Sequence, residues 1–200
     1  MTAHMTEPLL QQLLTEISGC HYCAAHLPLG PRPIVRANLA APVMVIGQAP
    51  GTRVHASGLP WDDPSGDRLR QWLGMDRARF YGGDCLSIMP MGFCYPGKGK
   101  GGDLPPRPEC APLWHARLRA LLPNLKLTLL IGRYAQRYYL DVQQETLEDT
   151  VRQWQGHLER GYFPLPHPSP RNTLWLKRRP GFEDEVLPAL RRALQQAGLS

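Results

Sequence analysis

The 200-residue chain carries 23 Lys and Arg against 17 Asp and Glu, a formal net charge of +6 at pH 7, which favours polyanionic partners without specifying one. This length suits one domain, residues 1–200, with a substantial core. No segment reaches the roughly 18 uninterrupted apolar residues of a membrane span, and the N-terminus lacks the basic and apolar regions of a signal peptide, so a cytoplasmic location without a membrane partner is expected.

Leu9, Leu10, Leu13, Leu14 and Ile17 recur at helical spacing, predicting a helix that ends near Gly19, just before Cys20. Val43–Ile46 reads as a short buried strand followed by a glycine- and proline-rich turn. Ser65 offers an N-cap to a helix carrying Leu69, Trp72 and Leu73 on one face. Residues 86–89 form a second strand, Leu113, Trp114, Leu118, Leu121 and Leu122 stripe a further helix, and Leu127–Ile131 is a third strand. A helix starts near Arg133, another falls around 145–155, and Tyr162–Leu165 is a fourth strand. The segment 183–197 is helical, with Val186, Leu187, Leu190 and Leu194 inward. Four short strands alternating with helices predict an α/β fold, a parallel sheet with helices on both faces. In such sheets the loops leaving the C-terminal strand ends build the binding crevice.

The chemistry-bearing segments lie on those loops. His167-Pro168-Ser169-Pro170-Arg171-Asn172 follows the fourth strand and runs into Lys177, Arg178 and Arg179. A histidine on a proline-stiffened turn, followed by cations, suits a loop pressed onto a nucleic-acid backbone; a lone histidine is otherwise a structural residue. Gly47-Gln48-Ala49-Pro50-Gly51 leaves the first strand, where glycine lets the backbone approach a ligand; a plain turn reads the same way. Trp61, Asp62 and Asp63 precede the Ser65 helix, with a core tryptophan and helix-capping aspartates as the plain alternative. Lys98, Lys100 and Arg107 populate a Pro/Gly-rich loop; these cations contribute phosphate affinity or form a solvated face. Five cysteines in a cytoplasmic chain argue for metal or catalysis rather than disulfides. Cys20 and Cys23, with Cys94 and Cys110 separated by fifteen intervening residues, supply four thiolates, a set that suits zinc or a 4Fe–4S cubane. Cys85 lies in an apolar run and reads as a small buried hydrophobe.

Together these motifs resemble the uracil-DNA glycosylase superfamily. The order of the Cys20/Cys23 pair, Pro28-Leu29-Gly30, the 47–51 loop and the run from Cys94 to Arg107-Pro108-Glu109-Cys110 is similar to the iron–sulfur branches, families 4 and 5. The sequence from His167 to Asn172 has the form of the single-strand-selective branch. The resemblance implies a monomeric three-layer α/β/α fold with a central four-stranded parallel sheet, and DNA as partner, with nucleoid association in a bacterium. It implies a 4Fe–4S cluster on Cys20, Cys23, Cys94 and Cys110, zinc being the alternative. The implied activity is a DNA glycosylase of base-excision repair that removes a flipped, deaminated or damaged base. His167 would stabilise the departing base, and Asp63 or Asp62 would orient water or stabilise the sugar cation. Trp61 would stack on the base, beside Gln48, Ala49 and Pro90. Ser169, Arg171, Asn172, Lys177 and Arg178 would engage DNA, Arg171 as part of a wedge.

Three positions depart from the family pattern. Gln48 stands where the iron–sulfur branches have Glu, and Ala49 where several families have a water-activating Asp or Asn. Pro90 falls where the family reads the uracil edge with Asn, and proline offers neither side-chain donor nor N–H. An altered base preference, a non-catalytic damage-binding protein, and an iron–sulfur protein with another ligand are therefore the three readings to separate.

Overall fold

The computed structural model describes residues 3–199, with side chains from residue 6 onward. Helix α1 (Ala3–Ser18) precedes strand β1 (Val43–Ile46), and helices α2 (Thr52–Ser57), α3 (Pro64–Leu73) and α4 (Arg77–Tyr81) lead to strand β2 (Leu86–Ile88). A hairpin of β3 (Lys98–Gly99) and β4 (Gly102–Asp103) follows, then helix α5 (Cys110–Ala120) and strand β5 (Leu127–Ile131). Helices α6 (Arg133–Leu140), α7 (Leu147–Arg152) and α8 (Trp154–Leu158) connect to strand β6 (Tyr162–Leu165). Helices α9 (Thr173–Lys177) and α10 (Leu187–Ala197) complete the described chain.

The central sheet has the order β2-β1-β5-β6 and every pairing is parallel, with Val43 in register with Leu86 and Leu127. Because successive strand residues face opposite ways, the apolar runs feed two separate cores. Val45, Leu129, Phe163 and Leu165 pack with Leu69 and Trp72 of α3, Val151 of α7 and Leu190 of α10. Met44, Ile46 and Leu130 pack with Leu10 and Ile17 of α1, Leu118 of α5 and Ala135 of α6. The result is the three-layer α/β/α sandwich expected from the alternation of elements. Each fully buried Leu or Ile side chain in it contributes about 1.5–3 kcal/mol. No helix among the described residues is long and apolar enough to cross a membrane.

The chain steps from β1 outward to β2, then returns past β1 to β5 and β6. That reversal opens a crevice beyond the strand C-termini, between β1 and β5. Buried Gln136 of α6 fixes one edge by donating Nε2–H to the carbonyls of Leu165 (2.9 Å) and Leu130 (3.2 Å).

Several local expectations are corrected. The cap of α3 is Asp63, not Ser65: Pro64 takes the first helical position, which its fixed φ favours, and moves the cap back. The 145–155 helix is two short ones broken at Gln153. Residues Phe182–Val186 form a wide π-turn before α10; Pro188 lacks an N–H and crowds the preceding turn, which the wider winding relieves. Leu113 lies outside the buried stripe of α5. Cys85 is half-buried, not core.

Candidate active cleft

The loop leaving β1 and the loop leaving β2 are stitched together, Met91 N–H donating to the Gly47 carbonyl (2.9 Å) and Gly92 N–H to that of Gln48 (3.0 Å). Above them lies a cleft of about 470 Å³ lined by residues 47–51 together with Trp61, Asp63, Pro90, the tip of the β3–β4 hairpin and the His167 loop. This volume lies in the range of small-molecule sites.

Trp61 adopts a left-handed backbone, φ 61°, which costs free energy for a non-glycine residue and persists only when surroundings enforce it. Arg70, itself buried, donates to the Trp61 carbonyl at 3.2 Å, and the Tyr81 hydroxyl donates to that of Pro60 at 2.9 Å. Two glycines make room. A Cβ on Gly66 would run into the Trp61 carbonyl oxygen, and one on Gly47 would sit 2.7 Å from Trp61 Cζ2. The indole therefore lies on the first loop, half-buried, with its ring centroid 5.7 Å from that of His167. It also packs on the core, so the core and cleft roles weighed for it are compatible.

His167 Nδ1 accepts from the Ser169 N–H at 3.2 Å. That bond assigns the proton of the neutral ring to Nε2, which has no protein partner among the described residues. Burial lowers the imidazole pKa to about 4, so the ring is neutral near pH 7. Asn172 Nδ2 donates to the His167 carbonyl at 2.8 Å, which commits the Asn172 amide to shaping the loop. Arg68 of α3 holds the same loop from behind, donating to the Ser169 carbonyl and to Thr173 Oγ1, both at 3.0 Å. Nothing in the sequence marked Arg68, because its partners are more than a hundred residues away.

The two adjacent aspartates separate. Asp63 lines the cleft while one of its oxygens accepts from Gly66 N–H at 2.8 Å as the α3 cap. Burial raises its pKa, outweighing the opposing pull of the Gly66 N–H. Asp62 is not among the cleft-lining residues; it pairs with Arg77 at 2.8 Å, and that hydrogen bond holds its carboxyl below the usual value.

Ser169 accepts from the Arg171 N–H through Oγ at 3.3 Å. The Arg171 guanidinium donates to the Gly101 carbonyl at 2.6 Å and latches the hairpin to the His167 loop. Lys177 and Arg178 are exposed, as are Lys98 and Lys100 on the hairpin. Arg179 is bound to Glu148 and stacked 4.3 Å from the Trp175 ring centroid, and Arg107 is paired with Glu109, so neither is a free cation. Gln48 is half-buried on the cleft wall with no side-chain hydrogen bond among the described residues, and Ala49 beside it has no functional group.

Pro90 sits at the cleft floor with its carbonyl accepting from His115 Nε2 at 3.1 Å. A carbonyl only accepts, so Nε2 carries the His115 proton and Nδ1 accepts from the Tyr139 hydroxyl at 2.7 Å. Burial lowers His115 to about 4 and raises Tyr139. The Pro90 carbonyl is thereby engaged from behind the cleft, and what remains at this position is an apolar ring. His115 gave no sequence signal beyond its place in an amphipathic helix.

Cys20, Cys23, Cys94 and Cys110 are all free thiols, and all line one small pocket with Leu27, Phe93 and Trp114. Cys110 Sγ accepts from the Phe93 N–H at 3.3 Å. Among the described residues no group of three or more His, Cys, Asp or Glu side chains is arranged to hold a metal ion.

The cleft at the switch point of an α/β sheet thus gathers a neutral histidine, an indole and a carboxylate. The sequence model of the Uracil DNA glycosylase superfamily matches residues 35–191. The chain belongs to that superfamily. The match spans the 47–51 loop, Trp61, Pro90 and the His167 loop, whereas Cys20 and Cys23 lie before it.

Proposed function

We propose that the protein is a DNA glycosylase of base-excision repair, hydrolysing the N-glycosidic bond of a deaminated or damaged base flipped out of DNA. The observation carrying this reading is the neutral His167 ring, with Nδ1 held by the Ser169 N–H and Nε2–H left free in the cleft. When the C1′–N bond breaks, its electron pair leaves with the base and negative charge spreads to the base carbonyl oxygens. A fixed neutral donor at such an oxygen stabilises that charge as it develops. The sugar left behind gains cationic character, which the Asp63 carboxylate offsets. Trp61 stacks on the extruded base, an interaction contributing on the order of 1–3 kcal/mol. Ser169, Arg171 and Asn172 shape the loop that meets DNA, and exposed Lys177 and Arg178 add salt-dependent phosphate affinity.

Uracil itself is one candidate base among several, because Pro90 presents an apolar ring where a base-reading amide would be needed. The unengaged Gln48 carboxamide is the polar group left on that wall to pair with a base edge. We take residues 1–200 as one glycosylase-like domain acting as a monomer on single- or double-stranded DNA, in the cytoplasm or nucleoid.

We assign Cys20, Cys23, Cys94 and Cys110 to a 4Fe–4S cluster. Four thiols on one small, largely apolar pocket would suit thiolate ligation of such a cluster. Zinc is the alternative occupant of the same four thiolates. When bound, the cluster supplies a covalent tie and a one-electron redox centre; the cysteines would thereby join the end of α1 to the 94–110 loop.

The competing reading is a damage-binding protein that does not cleave, favoured by the absence of a functional group at Ala49 and Pro90. Oligonucleotides carrying uracil, hypoxanthine or xanthine, single- and double-stranded, treated with the protein and then alkali, separate the two. Strand breaks at a lesion are expected; DNA binding with no break at any lesion would establish the competing reading.

A further inference from the structure

The glycosylase reading leaves the attacking water without an obvious base. Ala49 has no functional group, Asp62 is paired with Arg77 outside the cleft, and Asp63 has one oxygen committed to the Gly66 N–H. A third acidic residue lines the cleft. Asp103 ends β4 on the hairpin, and its Oδ2 stands 3.3 Å from the point where a Gly51 side chain would begin. The carboxylate thus reaches the loop leaving β1. Lys98 lies opposite it in the hairpin register, yet Asp103 makes no side-chain hydrogen bond or ion pair among the described residues. Its charge is felt within the protein at Tyr95, whose pKa it raises together with the larger effect of burial.

The hairpin is anchored as well as nearby. Leu104 N–H donates to the Gly97 carbonyl at 2.8 Å at its base, and Arg171 bonds the Gly101 carbonyl at its tip. The same arginine belongs to the His167 loop, so one latch brings Asp103 and His167 to a single cleft. The latch holds the backbone that carries Asp103 at the cleft and leaves its carboxylate free to take up a water.

We infer that Asp103 is a second catalytic carboxylate of this cleft, the group that takes the proton of the attacking water. The inference rests on the glycosylase reading. In the step, the C1′–N bond breaks and its electron pair departs with the base. The water oxygen bonds to C1′ and its proton passes to Asp103, while the departing base is later protonated from solvent. No oxidant, reductant or further co-reactant is required. Asp63 then serves the sugar cation and Asp103 the water, two carboxylates with separate tasks.

The test is single-turnover excision, with DNA affinity measured in parallel, for wild type, Asp103→Asn and Asp103→Glu. The oligonucleotides carry uracil, hypoxanthine or xanthine. Asp103 is exposed on a two-stranded hairpin, so thermal melting is expected to be unchanged in both variants. Asp103→Asn should lower the excision rate by about 100-fold or more, the scale of a lost general base, with DNA binding retained, and Asp103→Glu should recover part of the rate. Asn within about twofold of wild type overturns the inference and leaves the glycosylase reading standing. Parallel loss of rate and affinity, or no recovery by Glu, makes Asp103 a structural residue and overturns it too. A wild-type protein that excises none of the lesions overturns the glycosylase reading, and the inference with it.

Discussion

Asp63 caps α3 and lines the cleft at once, and two substitutions separate those jobs. Asn keeps a side-chain oxygen for the Gly66 N–H and is as good an N-cap as Asp, whereas Ala removes the cap at a cost of about 0.5–2 kcal/mol. For a chain of this size 1 kcal/mol corresponds to roughly 2–4 °C in Tm. Asp63→Ala should therefore melt about 1–8 °C lower, while Asp63→Asn melts near wild type. The pH dependence has a definite sign. Because burial raises the Asp63 pKa above 3.8, the folded state favours the protonated form. Relative to Asp63→Asn, wild type is then most stable below the ordinary aspartate value and loses that advantage as pH rises through the raised folded value. Near pH 7 the Asn variant should match or slightly exceed wild type in stability while excising bases far more slowly, since it lacks the charge that offsets the sugar cation. Differential scanning of the three proteins across pH, with single-turnover excision at neutral pH, reads all of this. Equal destabilisation by Asn and Ala would refute the capping argument, and full activity in Asp63→Asn would refute the electrostatic one.

Gly47→Ala places a methyl 2.7 Å from Trp61 Cζ2. It should displace the indole, alter tryptophan emission, cost about 1–3 kcal/mol as overpacking does, and impair excision; unchanged emission and rate would show that the ring is not seated on Gly47. His167 and His115 are both lowered by burial from 6.5 to about 4, so proton uptake favours the unfolded chain. Their stability contribution is complete above pH 6.5 and is lost as pH falls toward 4; denaturant midpoints should fall over that window and fall less in His115→Gln. Anaerobically purified protein should be brown, absorb near 400 nm (roughly where thiolate-ligated iron–sulfur centres absorb) and lose iron on substitution of Cys20 or Cys110 by Ser. A colourless protein with stoichiometric zinc would overturn the cluster.

Continuous apolar runs made three strands legible: Val43–Ile46, Leu127–Ile131 and Tyr162–Leu165 have the same bounds in sequence and structure. Long amphipathic helices were legible for the same reason, since burial imposes a period. Helices of five or six residues, α2, α4 and α9, carry too few turns to show one. The β3–β4 hairpin, built from Lys98 to Asp103 with no apolar residue, has no pattern to read. Within the cleft, residue types announced His167 and Trp61, but their state depends on tertiary partners. The His167 tautomer is set by a local N–H, its pKa by burial, and the Trp61 backbone by Arg70 and Gly66. The Arg171 contact with the hairpin was not legible, because sequence gives no hint that the Gly101 carbonyl lies within its reach.

The central claim is that a neutral His167 donor stabilises the departing base. It is tested most directly by the single-turnover excision rate of His167→Ala, relative to wild type, on whichever lesion wild type cleaves fastest, with DNA affinity measured on the same oligonucleotide. The account predicts a loss of about 10²–10³-fold, the scale of one removed oxyanion donor, at unchanged affinity. A variant that excises as fast as wild type would contradict it.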